Sequence, residues 1–245
     1  MHLKNILTKK IPVILLVGLY SCGNIQSPQP ADTTAPFKKG EWEILFDGKN
    51  TNQWKGANTD SFPSSRWTIA GDALVLSSTG NGDIITKERF GNFELLFDFK
   101  LTDSANSGVK YFVDTIKDTV NGSSVMNGPE YQIIDDNNHA EVKNHQHEEI
   151  STGALYLLYA PANKKLLPAG QWNEGKIIAN GNDVEHWLNG IKVVSYTRGS
   201  EDLRKKISET KFKSYSGYGE SADGHIMLTD HGDKVYFRNI KIKRL

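Results

Sequence analysis

The chain has 245 residues, 38% hydrophobic and 24% charged, with 29 Lys and Arg balanced by 29 Asp and Glu. A neutral chain with no basic stretch interleaved with aromatics excludes the usual nucleic-acid-binding surface. Its single cysteine, Cys22, excludes an internal disulfide, a cysteine-based metal site and a thiol nucleophile in the folded body, so stability must come from a large core.

Residues 1–21 place Lys4, Lys9 and Lys10 before the apolar run Ile11–Leu19, too short to span a bilayer, which is the layout of a secretory signal peptide. Leu19-Tyr20-Ser21-Cys22 resembles a bacterial lipobox. That resemblance implies lipidation of Cys22 and an exported protein held by its lipid on the periplasmic or outer-surface side of the envelope. The alternative is a soluble exported protein with an unpaired thiol. Residues 22–39, with Pro28, Pro30 and Pro36 among polar residues, read as a tether. Residues 40–245 are long enough for one all-β domain.

Within that domain the first strand expected is Glu41–Phe46, closed by the turn signal Asp47-Gly48, with Trp54 in the loop that follows. Arg66–Ile69 and Ala73–Leu76 form a hairpin about Gly71-Asp72. From Gly91 to Leu101 the alternation is unbroken, with Phe93, Leu95, Phe97, Phe99 and Leu101 on one face. Ser107–Val113 restarts it, with Val109, Tyr111 and Val113 inward and Lys110 outward; 114–127 reads as loop. In the central stretch Gly128–Asp136, Tyr131 and Ile133 alternate with Glu130 and Gln132, which sets a carboxylate beside an amide on the face away from the core.

Residues 137–150, carrying His139, His145 and His147, are too polar for core and read as a flexible flap beside that strand. A strand is expected at Thr152–Tyr159. Gln171–Ala179, Asp183–Leu188 and Ile191–Tyr196 follow as a meander, separated by Asn180-Gly181-Asn182 and Asn189-Gly190. Ser200–Ile207 is the one helix, capped by Ser200. His225–Gly232 and Val235–Ile242 complete the strands. Many short strands and one short helix indicate an antiparallel two-sheet sandwich. Glycine-rich phosphate motifs and the H-E-x-x-H zinc motif are absent from the sequence.

A carboxylate and an amide on one exposed sheet face can grip sugar hydroxyls, and Glu130 could also move a proton if partly desolvated; the competing reading is an ordinary solvated face. The ordered set Leu45-Phe46-Asp47-Gly48 with Trp54, Asn106-Ser107-Gly108-Val109, Glu130–Asp135, Thr152–Tyr156, Gly170–Asn173, Leu188-Asn189-Gly190 and Asp230-His231-Gly232 through Phe237–Ile240 resembles the 3-keto-disaccharide hydrolase domain family. The resemblance implies a concanavalin A-like jelly roll acting on sugars oxidised at carbon 3. A ketone there acidifies the hydrogen on carbon 2, so a base can remove it, the carbon 1 substituent can leave, and water can add to the unsaturated product. For that chemistry Glu130 is the first choice for the base, with Lys110 as the partner of the enolate oxygen, and His231 is the choice for the second proton carrier because a histidine gives and takes protons near neutral pH. Gln132, Asn106, Asn173, Tyr156 and Asp230 would contact the substrate, with Trp172 or Trp54 stacked on a sugar face. Members of the family often carry arginine near Lys110, and lysine would clamp an oxygen less specifically.

Each assignment has a competitor. Trp172 and Trp187 could be core, Asp230-His231-Gly232 a plain turn, and Arg238 a structural ion-pair partner. Asp135, Asp136 and His139 offer ligands of the type that suit a divalent ion, or could simply be solvated. The partners implied are a carbohydrate, the membrane through the lipid and an upstream sugar 3-oxidoreductase. A non-catalytic carbohydrate-binding lipoprotein, or a purely structural one, would share the same fold.

Overall fold

The computed structural model describes residues 39–77, 82–144 and 147–245. The stretches expected to be a signal peptide, a lipobox ending at Cys22 and a tether (residues 1–38), and His145, lie outside the described residues.

The strands are β1 (Trp42–Phe46), β2 (Trp54–Gly56), β3 (Trp67–Ala70), β4 (Ala73–Leu76), β5 (Ile84–Thr86), β6 (Phe93–Leu101) and β7 (Asn106–Lys117). They continue with β8 (Ser124–Asn127), β9 (Glu130–Ile134), β10 (Asn173–Asn180), β11 (Asp183–Leu188), β12 (Ile191–Thr197), β13 (His225–Leu228) and β14 (Val235–Arg244). The helices are α1 (Ala140–Asn144) and α2 (Glu201–Ser208). One sheet runs β12-β11-β10-β6-β14-β4-β3, with β1 also on β14; the other runs β2-β5-β13-β7-β8, with β9 also on β7. All pairings are antiparallel, giving the concanavalin A-like jelly-roll sandwich.

The five alternating apolar residues of β6 are all buried. They meet the inward face of the smaller sheet, where Phe97 packs edge-on against Tyr131 with ring centroids 5.4 Å apart. Truncating such a ring to alanine costs about 3–5 kcal/mol. Between the sheets, His186 Nδ1 donates to the Gly153 carbonyl at 3.1 Å, and its Nε2 accepts from the Tyr111 hydroxyl at 2.8 Å. Burial holds the His186 ring down at a pKa of about 4.

The Asn-Gly turns deliver the expected meander: β10 pairs β11 and β11 pairs β12, with Asn189 and Gly190 both at positive φ as a tight hairpin requires. Helix α2 starts where expected, the Ser200 hydroxyl accepting the Leu203 N–H at 3.1 Å.

Several expectations fail for local reasons. Phe112 has φ +52, so two successive residues, Tyr111 and Phe112, enter the main core. The parity beyond them inverts, and Val113 packs with Ile85 and Met227 in a separate cluster rather than facing inward. Residues 152–159 are not a strand. Gly153 and Leu157 turn the chain at positive φ, and only isolated bridges from Leu155 to Tyr131 and Tyr159 survive. The segment expected to be a flap contains α1 and a 3-10 turn at Glu148–Ile150. The strand expected through Gly232 ends at Leu228, leaving residues 230–232 in a turn. Trp54 and part of 114–127 join short strands, β2 and β8.

Candidate active site

Strand β9 supplies the centre. Tyr131 and Ile133 belong to the core between the sheets, which sends Glu130 and Gln132 to the opposite face of the smaller sheet. That face is not open: Glu130 is only 5% exposed and Gln132 only 2%. Lys110 on β7 pairs directly with Glu130, and its ammonium lies 3.8 Å from Glu130 Oε2. The same ammonium donates to Asn127 Oδ1 at 3.0 Å. Thr229 Oγ1 donates to Glu130 Oε1 at 3.4 Å, and His231 Nε2 stands 4.0 Å from that oxygen. Gly108, two residues before Lys110 on the same face, leaves the space into which the Glu130 carboxyl folds.

The charges divide the labour. Burial pushes the Glu130 carboxyl up, but Lys110, His231 and Lys211 outweigh it and hold the group below its usual value. Glu130 is therefore a carboxylate at neutral pH. His231, whose side chain is 44% exposed, is raised, first by Glu130 and against partial desolvation, which favours the imidazolium. A base and an acid thus stand side by side, each in the form needed to act.

Around this centre lie groups that the sequence did not point to. Asp83, just before β5, is raised by burial, and the charges of Lys110, His231 and Glu130 all reach it. Its Oδ1 accepts the Asp230 N–H at 2.7 Å. Asn127, Thr229 and Lys211 complete the set. No local pattern marks them, because they are assembled from four separated segments; the one hint is the Gly82-Asp83 pair entering an apolar Ile84-Ile85 step.

Tyr156 stands at the rim. Its backbone N–H donates to the Glu130 carbonyl, and its hydroxyl donates to Glu141 of α1 at 2.7 Å, with the Lys211 ammonium 4.8 Å from the ring centre. Asn106 shares the Lys110 face, and its buried Oδ1 has no hydrogen-bond partner among the described residues. Asp230 is near the centre, but its oxygens accept the N–H groups of Gly82 and Gly232, so it braces a turn.

The remaining candidates are elsewhere. Trp54 is 1% exposed with its indole N–H on the Leu45 carbonyl at 2.8 Å, leaving no face for a sugar. Asn173 accepts the Leu167 N–H at 2.8 Å and donates back to the Leu167 carbonyl at 3.1 Å, which ties a loop. Trp172 lies against Lys100, Arg238 and Tyr236 on the larger sheet. Arg238 bonds Asp98 and Asp72, each at 3.1 Å, as a structural partner would.

Asp135, Asp136 and His139 do not fit a metal. Asp135 accepts backbone N–H groups from Ser104, Asn137 and Asn138; Asp136 accepts Thr152 N–H and Lys164; His139 Nδ1 accepts the Glu141 N–H. Among the described residues no group of three or more such side chains gathers in metal-binding geometry.

Residues 41–243 match the 3-keto-alpha-glucoside-1,2-lyase-like domain. The chain belongs to this family. Among relatives of the lyase-like family, a 3-keto-disaccharide hydrolase of Bacteroides thetaiotaomicron is 31% identical over 235 residues, covering 86% of this chain and 80% of that protein. A solved structure described as a candidate glycosyl hydrolase of Parabacteroides distasonis superposes with a TM-score of 0.72 at 33% identity, covering 83% of this chain and 94% of that one. A second from the same organism gives 0.58 at 27% identity, over 84% of this chain and all of the other.

Proposed function

We propose that the protein is a carbohydrate hydrolase that cleaves 3-keto-glucosides and 3-keto-disaccharides by elimination and hydration. One observation carries the reading: the water-shielded Glu130 carboxylate faces an ammonium 3.8 Å away and an imidazole 4.0 Å away on the outer side of the smaller sheet. The named relative and the glycosyl-hydrolase neighbours support carbohydrate as the substrate class.

Glu130 takes the proton from carbon 2, and the electron pair passes into an enolate whose oxygen on carbon 3 meets the Lys110 ammonium. The enolate re-forms the ketone as the carbon 1–oxygen bond breaks, giving a double bond between carbons 1 and 2, and His231 protonates the departing oxygen. Water then adds at carbon 1 while His231 takes its proton and Glu130 returns one to carbon 2. Atoms balance to one hydrolysis. Gln132 and Asn106 lie on the face that would hold ring hydroxyls, and Tyr156 is placed at the entrance. The lipobox further supports an envelope-anchored enzyme that meets substrate produced by a sugar 3-oxidoreductase.

The test is NMR of a 3-keto-glucoside with the enzyme in deuterated water. Exchange at carbon 2 and release of the carbon 1 substituent are expected, and Glu130→Gln should abolish both while remaining folded. Saturable sugar binding with neither exchange nor product would identify a non-catalytic binding module instead.

A further inference from the structure

The turn that carries His231 is tied, in both directions, to a segment about 147 residues earlier in the chain. Asp230 N–H donates to Asp83 Oδ1 at 2.7 Å, and Gly82 N–H donates to Asp230 Oδ2 at 2.8 Å. Asp230 Oδ1 also accepts the Gly232 N–H at 2.8 Å, so the backbone is fixed on both sides of His231. The earlier segment is itself anchored, because the Gly82 carbonyl accepts the indole N–H of Trp67, a core residue 1% exposed, at 2.6 Å. Gly82 is required for the approach: a Cβ there would lie 2.9 Å from Asp230 Oδ2.

One oxygen of Asp83 holds this bracket, and the carboxyl group lies close enough to Lys110, His231 and Glu130 for their charges to act on it. We propose that Asp83 is the positioning residue for His231, fixing the backbone on which the imidazole stands and setting a second acidic group beside the Glu130–His231 pair. The inference rests on His231 as the second proton carrier. The charged groups facing His231 are Glu130 from β9, Lys110 from β7 and Asp83 from the entry to β5, with Asp230 in its own turn. The two acidic neighbours Glu130 and Asp83 raise the imidazole and Lys110 lowers it. Lys211 acts on the Glu130 side of the same cluster.

Asp83→Asn separates charge from bracket, since the amide oxygen still accepts the Asp230 N–H; Asp83→Ala removes both. The first readout is an NMR titration of the His231 ring in the full chain, assigned by its loss in His231→Gln. The His231 midpoint should lie above that of an ordinary histidine and fall in Asp83→Asn. The second readout is turnover of a 3-keto-glucoside against pH. Its alkaline limb, where the imidazolium loses its proton, should move to lower pH in Asp83→Asn with KM little changed, while Asp83→Ala should also lower kcat at the optimum. An unmoved His231 midpoint in Asp83→Asn overturns the proposal, as does an equal loss of activity in both variants at every pH. If the unmodified protein turns over no keto-sugar, the mechanism fails, yet the NMR titration still decides whether Asp83 controls the imidazole.

Discussion

Gly108 lies so close beneath Glu130 that a Cβ on it would stand 2.9 Å from the carboxyl carbon. The backbone there is not in the left-handed region, so alanine meets no conformational strain; it meets only the carboxylate. Gly108→Ala should push Glu130 off its seat and lower kcat/KM by about 10²-fold, the usual penalty for a displaced catalytic group. Overpacking should cost only about 1–3 kcal/mol of stability. Steady-state kinetics beside denaturant unfolding checks both, and undiminished activity would show that the seat is not critical.

Lys110→Met leaves a buried carboxylate without its nearest countercharge. Removing one partner of such a pair costs about 3 kcal/mol or more. The largest lowering influence on Glu130 is then gone, so its pKa rises and the acid limb of the pH–rate profile moves upward. Urea unfolding and a pH–rate profile measure the two effects separately; an unchanged acid limb would remove Lys110 from the electrostatics of Glu130.

His186 titrates at about 4 in the fold against 6.5 when free. Between those values the unfolded chain binds a proton that the folded chain does not, so stability falls as pH drops. The full loss from pH 7 to below pH 4 is about 3 kcal/mol. Unfolding free energies at several pH values should follow this slope, and His186→Gln, which can keep both hydrogen bonds, should flatten it.

Glu43 leans the other way. Burial lifts its carboxyl to about 7, and both oxygens lack hydrogen-bond partners among the described residues. The folded state holds a proton there that the unfolded chain releases near 4.5, so stability declines as pH rises from that value through 7. Because the group is only partly shielded, Glu43→Gln should stabilise the protein by about 1–2 kcal/mol at pH 8 and by little at pH 4.5. Thermal unfolding at the two pH values measures the difference.

Wherever one period and one turn chemistry governed a segment, the sequence could be read directly: the five-residue apolar face of β6, the Asn-Gly hairpins about β11 and the Ser200 cap. The alternation of β9 likewise separated Tyr131 and Ile133 from Glu130 and Gln132. Positive φ at residues with side chains hid the rest. Nothing about Phe112 or Leu157 in the sequence announces a left-handed backbone, and each broke an alternation that looked continuous. Burial of the polar face was also hidden, because the groups that act on Glu130, among them Thr229, His231 and Lys211, are distant in the chain. Trp54 and Asn173 sit inside recognisable motifs whose local job is structural: an indole N–H ties two strands and an amide ties a loop.

The reversal at Phe112 acts as a phase break in the longest strand of the smaller sheet. Before it, side-chain parity is fixed by pairing with β9 and β13; after it, β13 keeps only Val113, and from Asp114 onward the ladder partner of β7 is β8. The hairpin tip beyond Thr119, whose N–H and hydroxyl are held by the Ser214 carbonyl, can therefore gain or lose residues without re-registering Lys110 against Glu130. An outer arm of this molecule is open to redesign while the chemistry stays in step.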